Sequence, residues 1–452
     1  MNVCIYTLGC KQNYAESAYL RNQFVAAGHT VVDFDSTFDV FLINTCSVTE
    51  NADAECRKLV RRVLRQQPST FVAITGCYAQ LQPEAIASID GVDAVFGARH
   101  KFTIPKLVGD FRKRDTPMVF ADDDELDDLD FVAAVVTDNA TRTRAFLKIQ
   151  DGCDYSCSFC TIPMARGGGR SMILSDVVAS ASSLVASGFR EIVLTGINLG
   201  EYQDCNGARF VDVVRALQTL CSDVRFRISS LEPNKVTNDI IECVAESSTF
   251  CHHFHIPLQS GSDTILRAMR RRYTSSMYAS LIQSIHERIP NVGIGIDVIC
   301  GFPGETDELF DETYAFLEAL SWSYLHVFRY SERPNTPAAS KAGAVSSFVR
   351  KQRTRALRQL SLRKHREFLY RQIGTNVLVI PEKPDAHTGE RFGYTSNYAR
   401  VRIDDMPHAA VQAVSMRIDD VAGDVLVGRV LDVHRPSESS LYLPLTVLET
   451  MS

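Results

Sequence analysis

The 452-residue sequence lacks three features that would each have indicated a class of protein. No apolar run approaches the ~20 residues that a membrane helix needs, which excludes a spanning segment. The first residues, MNVCIYTLGCK, contain neither a basic segment nor a long apolar one, so we expect no secretory signal. The net charge of −6 excludes a globally basic, nucleic-acid-binding chain, and any basic surface must be local.

A disulfide framework is not indicated either. The thirteen cysteines are odd in number and lie in a large chain without an export signal. We therefore predict a cytoplasmic protein with reduced thiols, in which metal ligation is the leading specific use of cysteine.

The length corresponds to about three domains, and we predict an α/β multidomain protein. Apolar runs alternate with amphipathic segments in residues 1–120, which predicts an open parallel α/β sheet with helices on both faces. The predicted strands are 3–8, 39–45, 71–75 and 93–98, and the predicted helices are 14–28 and 50–67. The acidic stretch 121–131 is predicted to be a solvated linker.

The alternation resumes in residues 139–372, where six strands predict a partial (β/α)6 barrel with reactive residues after the strand carboxyl ends. These strands are 145–150, 191–196, 225–230, 254–258, 293–300 and 325–330. Residues 373–437 change period and predict a small β-barrel with strands 376–383, 398–403, 413–418 and 425–434. Residues 438–452 are predicted to be a C-terminal tail.

Three cysteines, which we call the sheet triad, each follow a predicted strand of the first domain: Cys10, Cys46 and Cys77. The carboxyl ends of parallel strands converge on one crevice, where helix N-termini also favour thiolates. Ordinary buried cysteines are the alternative for any one of them. Three cysteines at equivalent strand ends together favour a shared metal site.

A second set, the loop triad, follows the first strand of the predicted barrel with the spacing C-x3-C-x2-C: Cys153, Cys157 and Cys160. A structural zinc site would normally have four protein ligands. Thiolate-only ligation favours iron–sulfur clusters or zinc, and zinc would need a distant fourth ligand. A cubane cluster held by three thiolates keeps one iron for a substrate group.

The loop triad, with Phe159 beside its last cysteine, resembles the signature of the radical S-adenosylmethionine (SAM) superfamily. Together with the sheet triad and the C-terminal barrel, it resembles the methylthiotransferases, which combine an MTTase, a radical SAM and a TRAM domain. The resemblance runs essentially end to end and includes LGCKQNYAES, INTCSVTENAD, TGCYAQ, GCDYSCSFCTIPMARGGGRS, EIVLTGINLGEY, HIPLQSGSDTILRAMRRRYT, GIDVICGFPGET and HVFRYSERPNTPA.

The resemblance implies that each triad ligates a [4Fe-4S] cluster. The loop-triad cluster would bind SAM and yield a 5′-deoxyadenosyl radical, and the sheet-triad cluster would hold the sulfur that a second SAM methylates. A low-potential electron donor and a sulfur source would be needed. The implied SAM contacts are Phe159, Thr195, Gly196, Asn198, Ser229, Glu232, Gln259 and Ser260; Arg166 and Arg170 are candidates for SAM or substrate contact.

The predicted partner is tRNA at its anticodon stem-loop. A helix over 346–372 is rich in arginine and lysine, which suits phosphate attraction. The resembling TRAM domains generally bind RNA, but here acidic residues outnumber basic ones from Gly374 onward. TGCYAQ, LTGINLGEY and HVFRYSERPNTPA most resemble the branch acting on N6-threonylcarbamoyladenosine at position 37.

Several alternatives remain open at this point. Within the family, the substrate is alternatively N6-isopentenyladenosine of tRNA or an aspartate of a ribosomal protein. Outside it, the chain is a non-catalytic iron–sulfur or zinc protein that binds RNA, or a radical SAM enzyme whose second cluster only relays electrons.

Overall fold

The computed structural model describes residues 1–46, 50–121, 126, 129, 131–133, 143–220, 224–385, 388–404 and 413–434. Most of the predicted acidic linker and the whole predicted tail lie outside these residues, as does Cys221. No helix in the described part of the chain is long and apolar enough to cross a membrane. The predicted domain boundaries stay a prediction.

The N-terminal region is a six-stranded parallel sheet with the order β2-β1-β3-β4-β5-β6. Its central strands β3 and β4 are buried throughout, because helices and loops cover both faces. The strands are β1 (Asn2–Thr7), β2 (Thr30–Val32), β3 (Val40–Thr45), β4 (Phe71–Gly76), β5 (Ala94–Phe96) and β6 (Met118–Phe120); the helices are α1 (Lys11–Ala26), α2 (Glu50–Gln66), α3 (Cys77–Leu81), α4 (Pro83–Ala87) and α5 (Ile104–Leu107).

The central region has the predicted six barrel strands: β7 (Arg144–Lys148), β10 (Glu191–Thr195), β11 (Arg225–Ile228), β12 (His253–His255), β13 (Gly293–Cys300) and β14 (Tyr324–Arg329). Two parallel three-stranded sheets, β11-β10-β7 and β12-β13-β14, are joined by single parallel bridges between Phe226 and Phe250 and between Ser230 and His255. No ladder joins β7 to β14 among the described residues, so the barrel is partial. A short antiparallel pair, β8 (Gln150–Asp151) and β9 (Arg170–Ser171), brackets the loop triad.

Most helices of this region cover the outer face and pack on the largest hydrophobic core, whereas the short helix that follows the loop triad packs against α3. Hydroxyls of Thr237, Thr274, Thr306 and Ser346 cap four of them by accepting a backbone N–H of the first turn. The helices are α6 (Ile162–Arg166), α7 (Leu174–Ala186), α8 (Phe210–Gln218), α9 (Asn238–Glu246), α10 (Asp263–Ala268), α11 (Ser275–Arg288), α12 (Asp307–Ala319) and α13 (Ser347–Tyr370).

The inner face of the partial barrel is covered in part by α1 of the N-terminal region. Ala15 of this helix packs against Phe146 and Val193, which point inward from β7 and β10. The N-terminal sheet is therefore seated on the concave side of the barrel, which brings its carboxyl edge to the barrel's reactive end.

The C-terminal region is a closed barrel with the order β15-β16-β17-β19-β18. Its strands are β15 (Asn376–Pro381), β16 (Phe392–Tyr394), β17 (Arg400–Arg402), β18 (Ala413–Ala422) and β19 (Val425–His434). The three predicted architectures are thus confirmed.

Candidate active site

The loop triad lies between β8 and α6, and each of its sulfurs faces a hydrogen-bond donor. The backbone N–H of Tyr155 donates to Cys153 Sγ and that of Ile162 to Cys160 Sγ, both at 3.4 Å. Arg271 Nη1 donates to Cys157 Sγ at 3.2 Å. Donors aimed at sulfur stabilise the thiolate form, which is the form that ligates metal.

Burial disfavours the thiolate form of these three cysteines. Burial raises the pKa of Cys153 and of Cys160 to about 12 and also raises the pKa of Cys157. A metal centre bound here must therefore displace protons, as is usual for cysteine ligands.

The sheet triad lies at three strand ends, as the alternation predicted. Cys10 precedes α1, Cys46 follows β3 and Cys77 begins α3. Gly9 has φ +116°, and a Cβ there would lie 2.3 Å from Cys46 Cβ, so only glycine lets the turn before Cys10 approach Cys46. Cys10 and Cys77 are close enough to interact electrostatically.

The segments that carry the two triads touch each other, and we call the region around both triads the crevice. Helix α3, which begins at Cys77, packs against α6, which begins two residues after Cys160. A small cavity lined by Cys77, Ala165 and Arg166 lies at this junction.

Three of the predicted SAM contacts have buried polar atoms without a hydrogen-bond partner in the described part of the chain. They are the hydroxyl of Thr195, both side-chain amide atoms of Asn198 and the hydroxyl of Ser229. Buried polar groups are almost always satisfied, so unsatisfied groups at neighbouring strand ends indicate a ligand. Gly196 is closely packed, because a Cβ there would lie 2.7 Å from Leu199 Cδ2 and 3.0 Å from Gln150 Cβ.

Two further predicted contacts line a cavity of about 200 Å³ beside Cys160: Phe159 and Gln259. Glu232 instead forms an ion pair with Arg271, although burial raises the pKa of this carboxyl. The hydroxyl of Ser260 bonds that of Thr313 at 3.0 Å and accepts the N–H of Ser262. The structure thus brings Ser260 to the same loop as Gln259 but engages its hydroxyl elsewhere.

The donor sets fit the implied cofactors. Thiolate-only triads suit iron–sulfur clusters. The cavity beside Cys160 has room for part of a small molecule, and the unsatisfied hydroxyl and amide groups at the ends of β10 and β11 suit a polar ligand such as SAM.

Sequence reasoning missed several residues of this crevice. Arg271, within the run RRRY, contacts Cys157. Asp297 lines the cavity and accepts from His255 Nε2 at 3.0 Å and His326 Nδ1 at 3.1 Å. Burial alone would raise the pKa of Asp297, but these two histidines hold it well below its usual range. The sequence offers one indication of this group of His255, Asp297 and His326: the alternation along β12, β13 and β14 places one of them on the inner side of each strand.

Comparisons with known proteins agree with this geometry. The model of Uncharacterized protein family UPF0004 matches residues 2–97, and that of the Radical SAM superfamily matches residues 147–317. The chain is 39% identical to the threonylcarbamoyladenosine tRNA methylthiotransferase MtaB of Bacillus subtilis (strain 168), over 88% of this chain and 89% of that protein. It is 36% identical to the protein of the same name from Aquifex aeolicus (strain VF5), over 84% and 93% of the two chains.

Other similarities are broader. The chain is 30% identical to the tRNA-2-methylthio-N(6)-dimethylallyladenosine synthase of Acetivibrio thermocellus, over 84% of this chain and 80% of that protein. The solved structure of the radical SAM methyltransferase TsrM from Kitasatospora setae has a TM-score of 0.57 at 17% identity and covers 75% of each chain, which supports the fold.

The superfamily match and the crevice together make this chain a radical SAM enzyme that uses SAM and an iron–sulfur cluster. Several relatives that are similar over most of the chain carry the same name, MtaB, which indicates the family and the subgroup within the superfamily. The chain belongs to the radical SAM methylthiotransferase family, within its MtaB subgroup.

Proposed function

We propose that this chain converts N6-threonylcarbamoyladenosine at position 37 of tRNA to its 2-methylthio derivative. One SAM would donate the methyl group and another would be the source of the 5′-deoxyadenosyl radical. The proposal includes two [4Fe-4S] clusters, a low-potential electron donor and a sulfur source.

One observation carries this proposal: the segments that hold the two cysteine triads touch each other through the contact of α3 with α6. A methylthio transfer requires a sulfur-holding centre and a radical source aimed at one carbon, and triads on touching segments support that arrangement. The names of the relatives favour threonylcarbamoyladenosine as the substrate.

The residues of this chain would have distinct roles. Cys153, Cys157 and Cys160 would hold the cluster that supplies one-electron reduction of SAM, while Cys10, Cys46 and Cys77 would hold the sulfur-bearing cluster. Thr195, Asn198 and Ser229 would bind and orient SAM through the polar atoms that have no partner among the described residues. The inward-facing walls of the partial barrel would exclude water from the reacting carbon.

The RNA is proposed to lie along α13 rather than mainly on the small barrel. Three arginines of this helix are ion-paired to other elements: Arg350 to Glu332, Arg353 to Glu305 and Asp307, and Arg363 to Glu318. The remaining exposed cations form no ion pair with any described residue and are available to phosphates: Lys351, Arg355, Arg358, Arg366 and Arg371.

Nucleoside analysis tests the substrate. A host lacking this chain should contain threonylcarbamoyladenosine without its 2-methylthio mark, and the wild-type chain should restore the mark. A matched control in which Cys10, Cys46 and Cys77 are replaced by alanine should not restore it. A mark restored instead on isopentenyladenosine, or on a ribosomal-protein aspartate, would contradict the proposed substrate.

A further inference from the structure

Six charged side chains form an ion-pair group where the N-terminal sheet meets the barrel, and we call it the interdomain charge group. Glu16 accepts from Lys101 at 2.7 Å, Lys148 at 3.2 Å and Arg166 at 2.6 Å. Asp151 accepts from Lys148 at 2.7 Å, Arg166 at 3.0 Å and Arg170 at 3.1 Å. All six side chains are buried except that of Arg170, which is 18% exposed.

The interdomain charge group contains more positive than negative charge. Four cations (Lys101, Lys148, Arg166 and Arg170) share two carboxylates (Glu16 and Asp151), which leaves a surplus of two positive charges. The Nε atoms of Arg166 and Arg170 are buried and have no hydrogen-bond partner among the described residues. Uncompensated buried charge is costly, so the surplus calls for a nearby anion.

The surplus lies directly beside the sheet triad. Cys77, Lys101, Arg166 and Arg170 line the same small cavity. Arg166 Nη2 also donates to Asn13 Oδ1 at 2.7 Å, and Asn13 Nδ2 donates to the carbonyls of Leu8 and Thr45, each at 2.9 Å. These two carbonyls belong to the segments that lead into Cys10 and Cys46.

Arg166 belongs to the other triad's segment, since it ends α6, six residues after Cys160. Its guanidinium therefore spans from the loop that carries one triad to the segments that carry the other.

We propose that the interdomain charge group is the counter-charge of the iron–sulfur centre on Cys10, Cys46 and Cys77, with Arg166 as its positioning residue. This inference rests on the proposed function, which places a cluster there. Three thiolates bring more negative charge than an oxidised cubane core has positive charge, so the surplus of the protein is opposite in sign to the net charge of the cluster. The surrounding positive charge stabilises the reduced centre and raises its reduction potential.

The test uses the full chain with Cys153, Cys157 and Cys160 replaced by alanine, so that only one centre remains. After anaerobic reconstitution this parent should hold about four iron atoms. Its midpoint potential is then measured by redox titration followed by electron paramagnetic resonance. R166M should shift the potential to more negative values, and R166K, which keeps the charge, should shift it less.

R215Q, which removes an exposed cation of α8 that pairs with the surface carboxylates of Asp212 and Asp239, is the control and should leave the potential unchanged. R170Q is a second variant at a half-buried site that tolerates substitution better, and it should give a smaller shift of the same sign. Potentials of R166M and R170Q equal to that of the parent would overturn the inference. Absence of iron in the parent itself would instead overturn the proposed second cluster.

Discussion

The unsatisfied polar atoms at the ends of β10 and β11 make three residues the most informative of the crevice. Thr195, Asn198 and Ser229 have buried polar atoms with no partner among the described residues, whereas the hydroxyl of Ser260, at the end of a neighbouring strand, is engaged with Thr313. The difference separates side chains that stabilise the fold from side chains that are free to bind a ligand.

Replacing Asn198 by alanine should weaken SAM binding about tenfold, because each ligand hydrogen bond contributes about 1 kcal/mol and its amide can make more than one. Thermal stability should hardly change, since the amide has no partner in the described part of the chain. Equilibrium dialysis of the reconstituted enzyme measures the dissociation constant. Ser260→Ala is the control, expected to lower the melting temperature and leave SAM affinity intact; the reverse pattern would refute the assignment.

Removing one triad or the other should abolish different activities. Alanine at Cys10, Cys46 and Cys77 should preserve reductive cleavage of SAM, because the loop triad is untouched, while methylthio transfer is lost. Alanine at Cys153, Cys157 and Cys160 should abolish both. Chromatography of 5′-deoxyadenosine and of the modified nucleoside separates the two outcomes, and loss of cleavage in both variants would argue against separate roles.

At the scale of elements, the sequence predicts those strands that alternate regularly with helices. The six barrel strands and β1, β3, β4 and β5 are confirmed by the structure. The strands β2, β6, β8, β9 and β16 are not predicted, because two or three residues are too few for a periodicity to show. The equally short β5 and β12 could be predicted because they overlap the longer runs 93–98 and 254–258. The cysteines could be predicted at a crevice because strand ends converge, but the contacts of Arg271 and Asp297 could not, since their partners are distant in sequence.

In helix α13, too, the contacts with residues distant in sequence could not be predicted. Its charge pattern predicts a basic surface, yet Arg350, Arg353 and Arg363 are paired to carboxylates of other elements. Only the tertiary structure shows which of its cations remain for a partner.

Replacing Arg355, Arg358 and Arg366 by glutamine should weaken tRNA binding and reduce the slope of log affinity against log salt by about one for each phosphate that is no longer neutralised. Filter binding over a range of salt concentrations measures both. Arg363→Gln is the matched control on the same helix, expected to change little because that arginine already pairs with Glu318. An unchanged slope in the triple variant would place the RNA elsewhere.

At the scale of the whole molecule, the small barrel docks at the amino-terminal strand ends of the partial barrel, opposite the triads. Arg225 Nη2 donates to the carbonyl of Tyr394 at 2.7 Å, and Arg227 donates to those of Thr395 and Ser396, each at 3.0 Å. Glu191 holds both arginines. Burial alone would raise the pKa of Glu191, but Arg227 and Arg225 keep it well below its usual range.

Glu191→Gln should destabilise this docking by about 3–5 kcal/mol, because two buried arginines lose their counter-charge.

In the wild-type chain the docking should depend on pH. Because the pKa of Glu191 is lowered, its contribution to stability is complete above the ordinary glutamate pKa of about 4.3 and is lost as the pH falls below that value. Thermal unfolding and limited proteolysis of the small barrel measure the effect. Glu382→Gln, at a half-exposed partner of Arg144, should cost under about 1 kcal/mol; equal effects of the two substitutions would contradict this prediction.

The interdomain charge group has a consequence for the nucleic acid. Glu16 joins the N-terminal sheet to the barrel through its ion pairs with Lys148 and Arg166, so we expect the sheet and the barrel to stay together when the target binds. The adenine must instead swing out of its own loop, and the work of distortion falls on the RNA. We therefore expect a flexible anticodon loop to be modified readily, and a loop stiffened by stacking or cross-linking to resist even when its sequence is unchanged.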